Sequence, residues 1–139
     1  MLVSVLNHVP NAEIQGVLVT RFVANAKEVI VGALRDAQFG PVVMVGLGGV
    51  FVEIFKDVSF GIAPVTELEA MRMLESLKAF PILKGTRGDK SINFEALCRL
   101  ISRASQFACE NTMQELDLNP VFCTEKDAFA GDAQILIDD

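Results

Sequence analysis

The apolar positions of the first half of the chain fall in short, β-branched runs cut by glycine, proline and polar pairs, a texture that predicts strands. Gly16–Phe22 (GVLVTRF) and Lys27–Asp36 (KEVIVGALRD) are two such runs joined by a short polar turn, and together they read as a hairpin. Pro41–Gly46 (PVVMVG) is a third, nearly all apolar, and is expected to be buried on both faces until the glycines at 46, 48 and 49 break it. Val50–Phe55 and Val58–Ala63 are further candidates, separated by Lys56-Asp57. The first nine residues read as helical or frayed, ending at Pro10-Asn11. Strands in series without long helices between them imply mostly antiparallel pairing.

The period then changes. Thr66 and Glu69 have the spacing of a capping box, in which the hydroxyl accepts from the first-turn amides and the carboxylate bonds back to the cap. Leu68, Met71, Met73 or Leu74, and Leu77 follow at helical intervals up to Pro81, which is expected to end the helix. Ile92–Cys109 is a second helix. Phe94, Leu97, Leu100, Ile101, Ala104, Phe107 and Ala108 share one face, and Arg99, Arg103 and Gln106 lie opposite. Such a face covers a sheet, each large side chain contributing about 1.5–3 kcal/mol on burial.

Period two returns at the end. Met113–Cys123 and Ala130–Ile137 flank a polar turn, Thr124–Asp127. The fold class is therefore α+β, a mostly antiparallel sheet covered by two main helices. Alternation puts Leu116 and Leu118 on one face and Glu115, Asp117 and Asn119 on the other. In the returning strand Ala133, Ile135 and Ile137 are the apolar set, so Asp132 and Gln134 point the opposite way. A turn centred near Glu125-Lys126 sets Asn119 opposite Asp132, so one polar strip carries Asp117, Asn119 and Asp132. Two carboxylates and an amide oxygen are the hard donor set that Mg²⁺ takes with nucleotide phosphates. The same strip also has the composition of an ordinary solvated strand face.

Composition narrows the picture. The 139 residues make one domain, and 51% apolar against 22% charged residues excludes intrinsic disorder. Twelve Lys and Arg against eighteen Asp and Glu give a net charge of −6, which argues against nucleic acid and against a polybasic membrane contact. The start of the chain lacks a signal-peptide pattern, and the longest apolar stretch, Pro41–Val52, is glycine-rich and too short to span a bilayer. Cys98, Cys109 and Cys123 are too far apart for a zinc knuckle or redox pair and fit buried or surface thiols in a cytoplasmic protein.

Two loops carry candidate chemistry. Gly46-Leu47-Gly48-Gly49 follows a strand but lacks both the GK[ST] ending of a P-loop and the GxGxxG spacing. It suits a tight turn or a close backbone approach to a phosphate. Lys84, Arg87 and Lys90, around GTRGDK, are either solvated charges or an anion contact. His8, the single histidine, has no Cys, Asp or Glu near it in sequence.

Taken together, GVLVTRFVANAKEVIVGALRDAQFGPVVMVGLGGVFVEIFKDVSFGIAP, LKGTRGDK and QELDLNPVF…AGDAQILI resemble, in this order, the carboxy-terminal lobe of the ATP-grasp domain of nucleoside-diphosphate-forming acyl-CoA synthetases. These include the ADP-forming acetyl-CoA synthetases, relatives of the succinyl-CoA synthetase β subunit. The resemblance runs from about Pro10 to Ile137, with residues 1–12 leading into an interlobe hinge and 13–139 forming the lobe. It implies that Val17–Glu28 is the hinge segment, with Thr20 where relatives often carry Glu or Gln, Val23 meeting the base through its backbone and Glu28 facing the nucleotide. It implies that Asp117 and Asn119 are the acid-x-Asn of the family's metal site and Asp132 its second carboxylate. Gly46, Gly48, Gly49 and Glu53 match GLGG…VE at the phosphoryl-transfer end, and Arg87 matches the RG loop.

The implied reaction is acid + CoA + ATP giving acyl-CoA + ADP + phosphate, with Mg²⁺ and ATP or ADP, through an acyl phosphate and a phosphohistidine. The amino-terminal ATP-grasp lobe, the CoA-binding domain and the phosphohistidine are expected on another part of the polypeptide or another subunit. This lobe alone is then expected to be inactive. Two other roles fit the same text: a ligase-like regulatory region of a protein lysine acetyltransferase, and a non-enzymatic module that forms a homodimer through an uncovered strand edge.

Overall fold

The computed structural model describes residues 16–17, 19–20, 22–49, 57–86 and 88–137. The expected features at residues 1–9 and Val50–Phe55, and the positions of Glu53 and Arg87, lie outside the described residues. The described elements are β1 (Lys27–Asp36), β2 (Gly40–Leu47), β3 (Val58–Ile62), α1 (Glu67–Glu75), α2 (Phe80–Lys84), α3 (Phe94–Glu110), β4 (Glu115–Cys123), β5 (Ala128–Ala130) and β6 (Gln134–Leu136). Every strand pairing is antiparallel, in the order β3-β2-β1-β4-β5, with β6 beside β5 along the outer edge of β4.

The first hairpin is not the one the pattern suggested. β1 turns at Ala37–Phe39 into β2, and the described part of Gly16–Phe22 forms no strand. The reason is local. The Asp36 carboxylate accepts from the amides of Gln38 (2.8 Å) and Phe39 (2.9 Å), and Gly40 supplies a left-handed φ of +74°, so the chain reverses there. Those two bonds hold the Asp36 carboxyl below the usual carboxylate range.

α1 opens with the full capping box: Thr66 Oγ1 accepts from the Glu69 amide, and the Glu69 carboxylate accepts from the Thr66 amide. It closes at Ser76, before Pro81. Pro81 instead lies in the first turn of α2, where its missing N–H costs nothing. The Asp57 carboxylate meets the turn between the two helices, accepting from the amides of Lys78 (3.0 Å) and Ala79 (2.7 Å). α3 starts two residues later than the apolar period suggested because Asn93 caps it, accepting from the Ala96 amide.

α1 and α3 pack on each other and on one face of the sheet. Val29, Val31 and Ala33 of β1, Val43, Val45 and Leu47 of β2, and Leu74, Leu97 and Ile101 of the helices fill that layer. Fully buried Ser105 ties α3 to the β3–α1 connection: its hydroxyl donates to Ser102 O (2.6 Å) and accepts from the Val65 amide (2.9 Å). β2 is not equally buried on both faces, because the helices cover only one. Val43 and Val45 are buried, Val42 and Met44 only partly.

Candidate functional site

Among the described residues no helix covers the other, open face of the sheet, and the candidate residues sort along it. In β1 alternation places Glu28, Ile30, Gly32 and Leu34 on the open face. Glu28 stands opposite Phe122 and Gly32 opposite Asp117 on β4. Four residues of strand separate the two levels, about 13 Å.

Glu28 and the glycine segment form one contact. The Gly48 amide donates to Glu28 O at 2.7 Å, and a Cβ on Gly48 would lie 2.9 Å from the Cβ of Glu28. Glycine here is thus a condition for close approach. Gly49 has φ +67°, and its Cβ position lies 3.7 Å from Glu28 Oε2. Gly46 belongs to the strand itself, opposite Ile30 and Val58, so the break falls at Gly48.

The acidic strip has the register that parity demanded. Val121–Ala130 and Phe122–Phe129 on β5, then Leu116–Ile135 and Asp117–Gln134 on β6, are in step across the interruption at 131–133. The Gly131 amide donates to Pro120 O at 2.7 Å within it. The same register sets Asn119 opposite Asp132, with Asp117 two positions along. Asp117 is half-buried, whereas Asn119 and Asp132 are exposed. Asp132 Oδ1 also accepts from the Ala133 amide at 2.9 Å. Among the described residues neither carboxylate has a Lys or Arg partner. The set holds two acids and an amide. Among the described residues no three His, Cys, Asp or Glu side chains gather as a metal-holding group.

β4 carries an extra residue opposite Val29–Val31, where a cis Asn119–Pro120 bond also lies. The irregularity switches parity. Leu116 and Leu118 face the helices before it, Val121 and Cys123 after it, and Asp117 and Asn119 stay on the open side.

The hinge residues lie apart from this strip. Val23 is half-buried and lines a cavity of about 830 Å³ at the end of the sheet with Asn25, Lys27, Lys90, Cys123 and Phe129. Thr20 is exposed and lies outside that lining.

Pattern reasoning overlooked Lys27. It has the parity of Val29 and Val31, so its side chain goes to the helix side, where it is only 14% exposed. A lysine on the buried parity of an apolar strand is the signal that could have found it. Its Nζ donates to Ile82 O (2.6 Å) and Lys90 O (2.8 Å) and pairs with Asp89 Oδ2 (3.0 Å). The bond from Lys27 holds the Asp89 carboxyl below its ordinary range.

Comparison with known proteins agrees with this frame. Residues 1–137 match the ATP-grasp domain family, and the chain belongs to it. The chain is 48% identical over 132 residues to the β subunit of acetate–CoA ligase (ADP-forming) I of Pyrococcus furiosus, covering 94% of this chain and 57% of that protein. Among solved structures, the dinucleotide-forming acetyl-coenzyme A synthetase 1 of Ca. Korarchaeum cryptofilum, with coenzyme A, Ca-AMPCP and HgCl⁺, superposes with a TM-score of 0.86 at 46% identity. The overlap spans 99% of this chain and 60% of that one. The same enzyme with coenzyme A and Mg-AMPPCP, its phosphohistidine segment pointing towards the nucleotide binding site, gives 0.80 at 45% identity over 84% of this chain and 55% of that one. The chain therefore spans a little over half the length of these relatives.

Proposed function

We propose that this chain is the nucleotide- and Mg²⁺-binding lobe of an ADP-forming acyl-CoA synthetase, the enzyme class that converts acid, CoA and ATP to acyl-CoA, ADP and phosphate. The observation that carries the proposal is the common register of β5 and β6 on β4, which supports a strip shared by Asp117, Asn119 and Asp132 when it is carried across the gap at 131–133. Two carboxylates on one strip with no Lys or Arg partner among the described residues favour a divalent ion, and the donor set suits Mg²⁺. When bound, the ion would neutralise charge on the phosphates. Glu28, next to the Gly48–Gly49 backbone, would face the nucleotide on the same side of the sheet. Nucleotide and Mg²⁺ complexes of the structural relative support this reading.

Phosphoryl transfer depends mostly on positioning and charge stabilisation. In the proposed assembly the rest of the synthetase supplies the opposing phosphate contacts, the CoA site and the phosphohistidine. Titration calorimetry of the chain with Mg–ADP and Mg–ATP tests the proposal. Heat of binding that falls about tenfold or more in affinity with Asp132→Ala is the expected outcome, in the range for loss of a charged contact. No heat at millimolar nucleotide, together with a stable dimer by light scattering, would establish the non-enzymatic module instead.

A further inference from the structure

The Lys27 ammonium sits in a cage of protein oxygens: Ile82 O, Lys90 O and Asp89 Oδ2 at 2.6–3.0 Å, with Leu83 O at 3.5 Å. Three N–H donors thus meet three close acceptors. The cage is built from two neighbouring stretches more than fifty positions along the chain from Lys27. Ile82 and Leu83 are carbonyls at the end of α2, and Asp89 and Lys90 belong to the loop that follows it.

The loop is shaped to reach the lysine. Gly85 has φ +86°, and any Cβ there would run into the backbone of Asp89 and Lys90, so the chain folds back on itself at a position only glycine fills. The Ile92 amide returns to Leu83 O at 3.1 Å and closes the fold-back. Farther out, Lys90 Nζ pairs with Glu125 Oε2 at 2.7 Å and links the loop to the β4–β5 turn.

Lys27 and Glu28 are successive residues on opposite faces of β1. The cage therefore anchors the first residue of the strand whose second residue receives the Gly48 amide and carries the carboxylate beside Gly49. We propose that Lys27 is a positioning residue. Its ammonium group locks the Asp89–Lys90 stretch and the end of α2 to the start of β1 and thereby fixes the Glu28 backbone that receives the Gly48 amide. The nucleotide part of this inference rests on the function proposed above; the locking of the loop does not.

The cage is matched to a small monovalent cation, so chemical rescue tests it. In Lys27→Ala the amides of residues 85–91 should exchange with solvent about tenfold faster, and Mg–ADP affinity should fall by a similar factor, as expected for a lost charge-assisted hydrogen bond. Ethylammonium chloride should restore both, and choline chloride at the same ionic strength should restore neither. Asp89 is mostly exposed, so Asp89→Asn keeps the fold and decides the matter if Lys27→Ala does not fold: it should speed exchange in the loop by a smaller factor. Wild-type exchange rates in both variants, or equal responses to the two salts, would overturn the proposal. Loop release with ethylammonium rescue in a chain that binds no nucleotide would uphold the lock and defeat the nucleotide reading alone.

Discussion

The three thiols show how burial sets chemistry at single positions. Burial, with the charges of Glu67 and Glu75 nearby, pushes the Cys98 thiol up to about 11, and burial alone pushes Cys123 up to about 12. Cys109 is exposed on the last turn of α3. Thiolate is the reactive species, so the first two are inert near neutral pH in the folded chain. Labelling with a thiol reagent at pH 8 should therefore modify one cysteine per native chain rapidly and all three after denaturation. Rapid native labelling of Cys98 or Cys123 would show that their helix and strand open far more readily than this packing allows. The same residue-by-residue logic separates Lys27 from Glu28: adjacent in sequence and opposite in charge, they face different layers and do different work.

At the level of elements, the ends are where side-chain chemistry decides. The Thr66–Glu69 box satisfies amides that α1 cannot bond internally, and removing the hydroxyl with Thr66→Ala should cost about 1 kcal/mol in denaturant unfolding. The bonds from Thr66 hold the Glu69 carboxyl below its ordinary value, so its stabilising contribution is present above the unfolded pKa and is lost as pH falls through the lower folded value. The stability difference between wild type and Glu69→Gln should accordingly be present at pH 7 and shrink below about pH 4. A difference constant from pH 7 to pH 3 would show that the carboxylate charge plays no part in the cap. This box was legible in the sequence because both partners are local. So were α3, the β2 strand and the register of the final hairpin, since period and parity fix them. The β1–β2 hairpin was not: the runs ending at Asp36 and starting at Pro41 were both visible, but the preceding run Gly16–Phe22 offered β1 a competing partner, and the reversal rests on backbone amides bonded to Asp36 and on the left-handed φ of Gly40. The Lys27 cage was illegible for another reason. Its oxygens come from residues more than fifty positions away, and backbone carbonyls leave no mark in sequence.

At the scale of the molecule, the two faces of the sheet are unequal. One lies under α1 and α3. The other carries Glu28 toward one end, then a cross-strand row in which Asp117 stands level with Gly32, Met44 and Phe60, and beyond it a row of Leu34, Val42 and Ile62, with Phe60 58% and Ile62 62% exposed. Apolar rows of this kind on an open sheet face suit a covering surface. In the proposed synthetase the remainder of the enzyme supplies that cover and closes the nucleotide site from the other side. Losing a single donor to a developing charge already costs roughly 10²–10³ in rate, and the 139-residue chain would lack an entire half of the cleft. The chain alone should therefore bind Mg–ADP through the acidic strip yet form no ATP from acetyl-CoA, ADP and phosphate in a luciferase-coupled assay. ATP formation that depends on acetyl-CoA and disappears with Asp132→Ala would place the whole catalytic apparatus within these 139 residues, and the division of labour argued from the open face would fall.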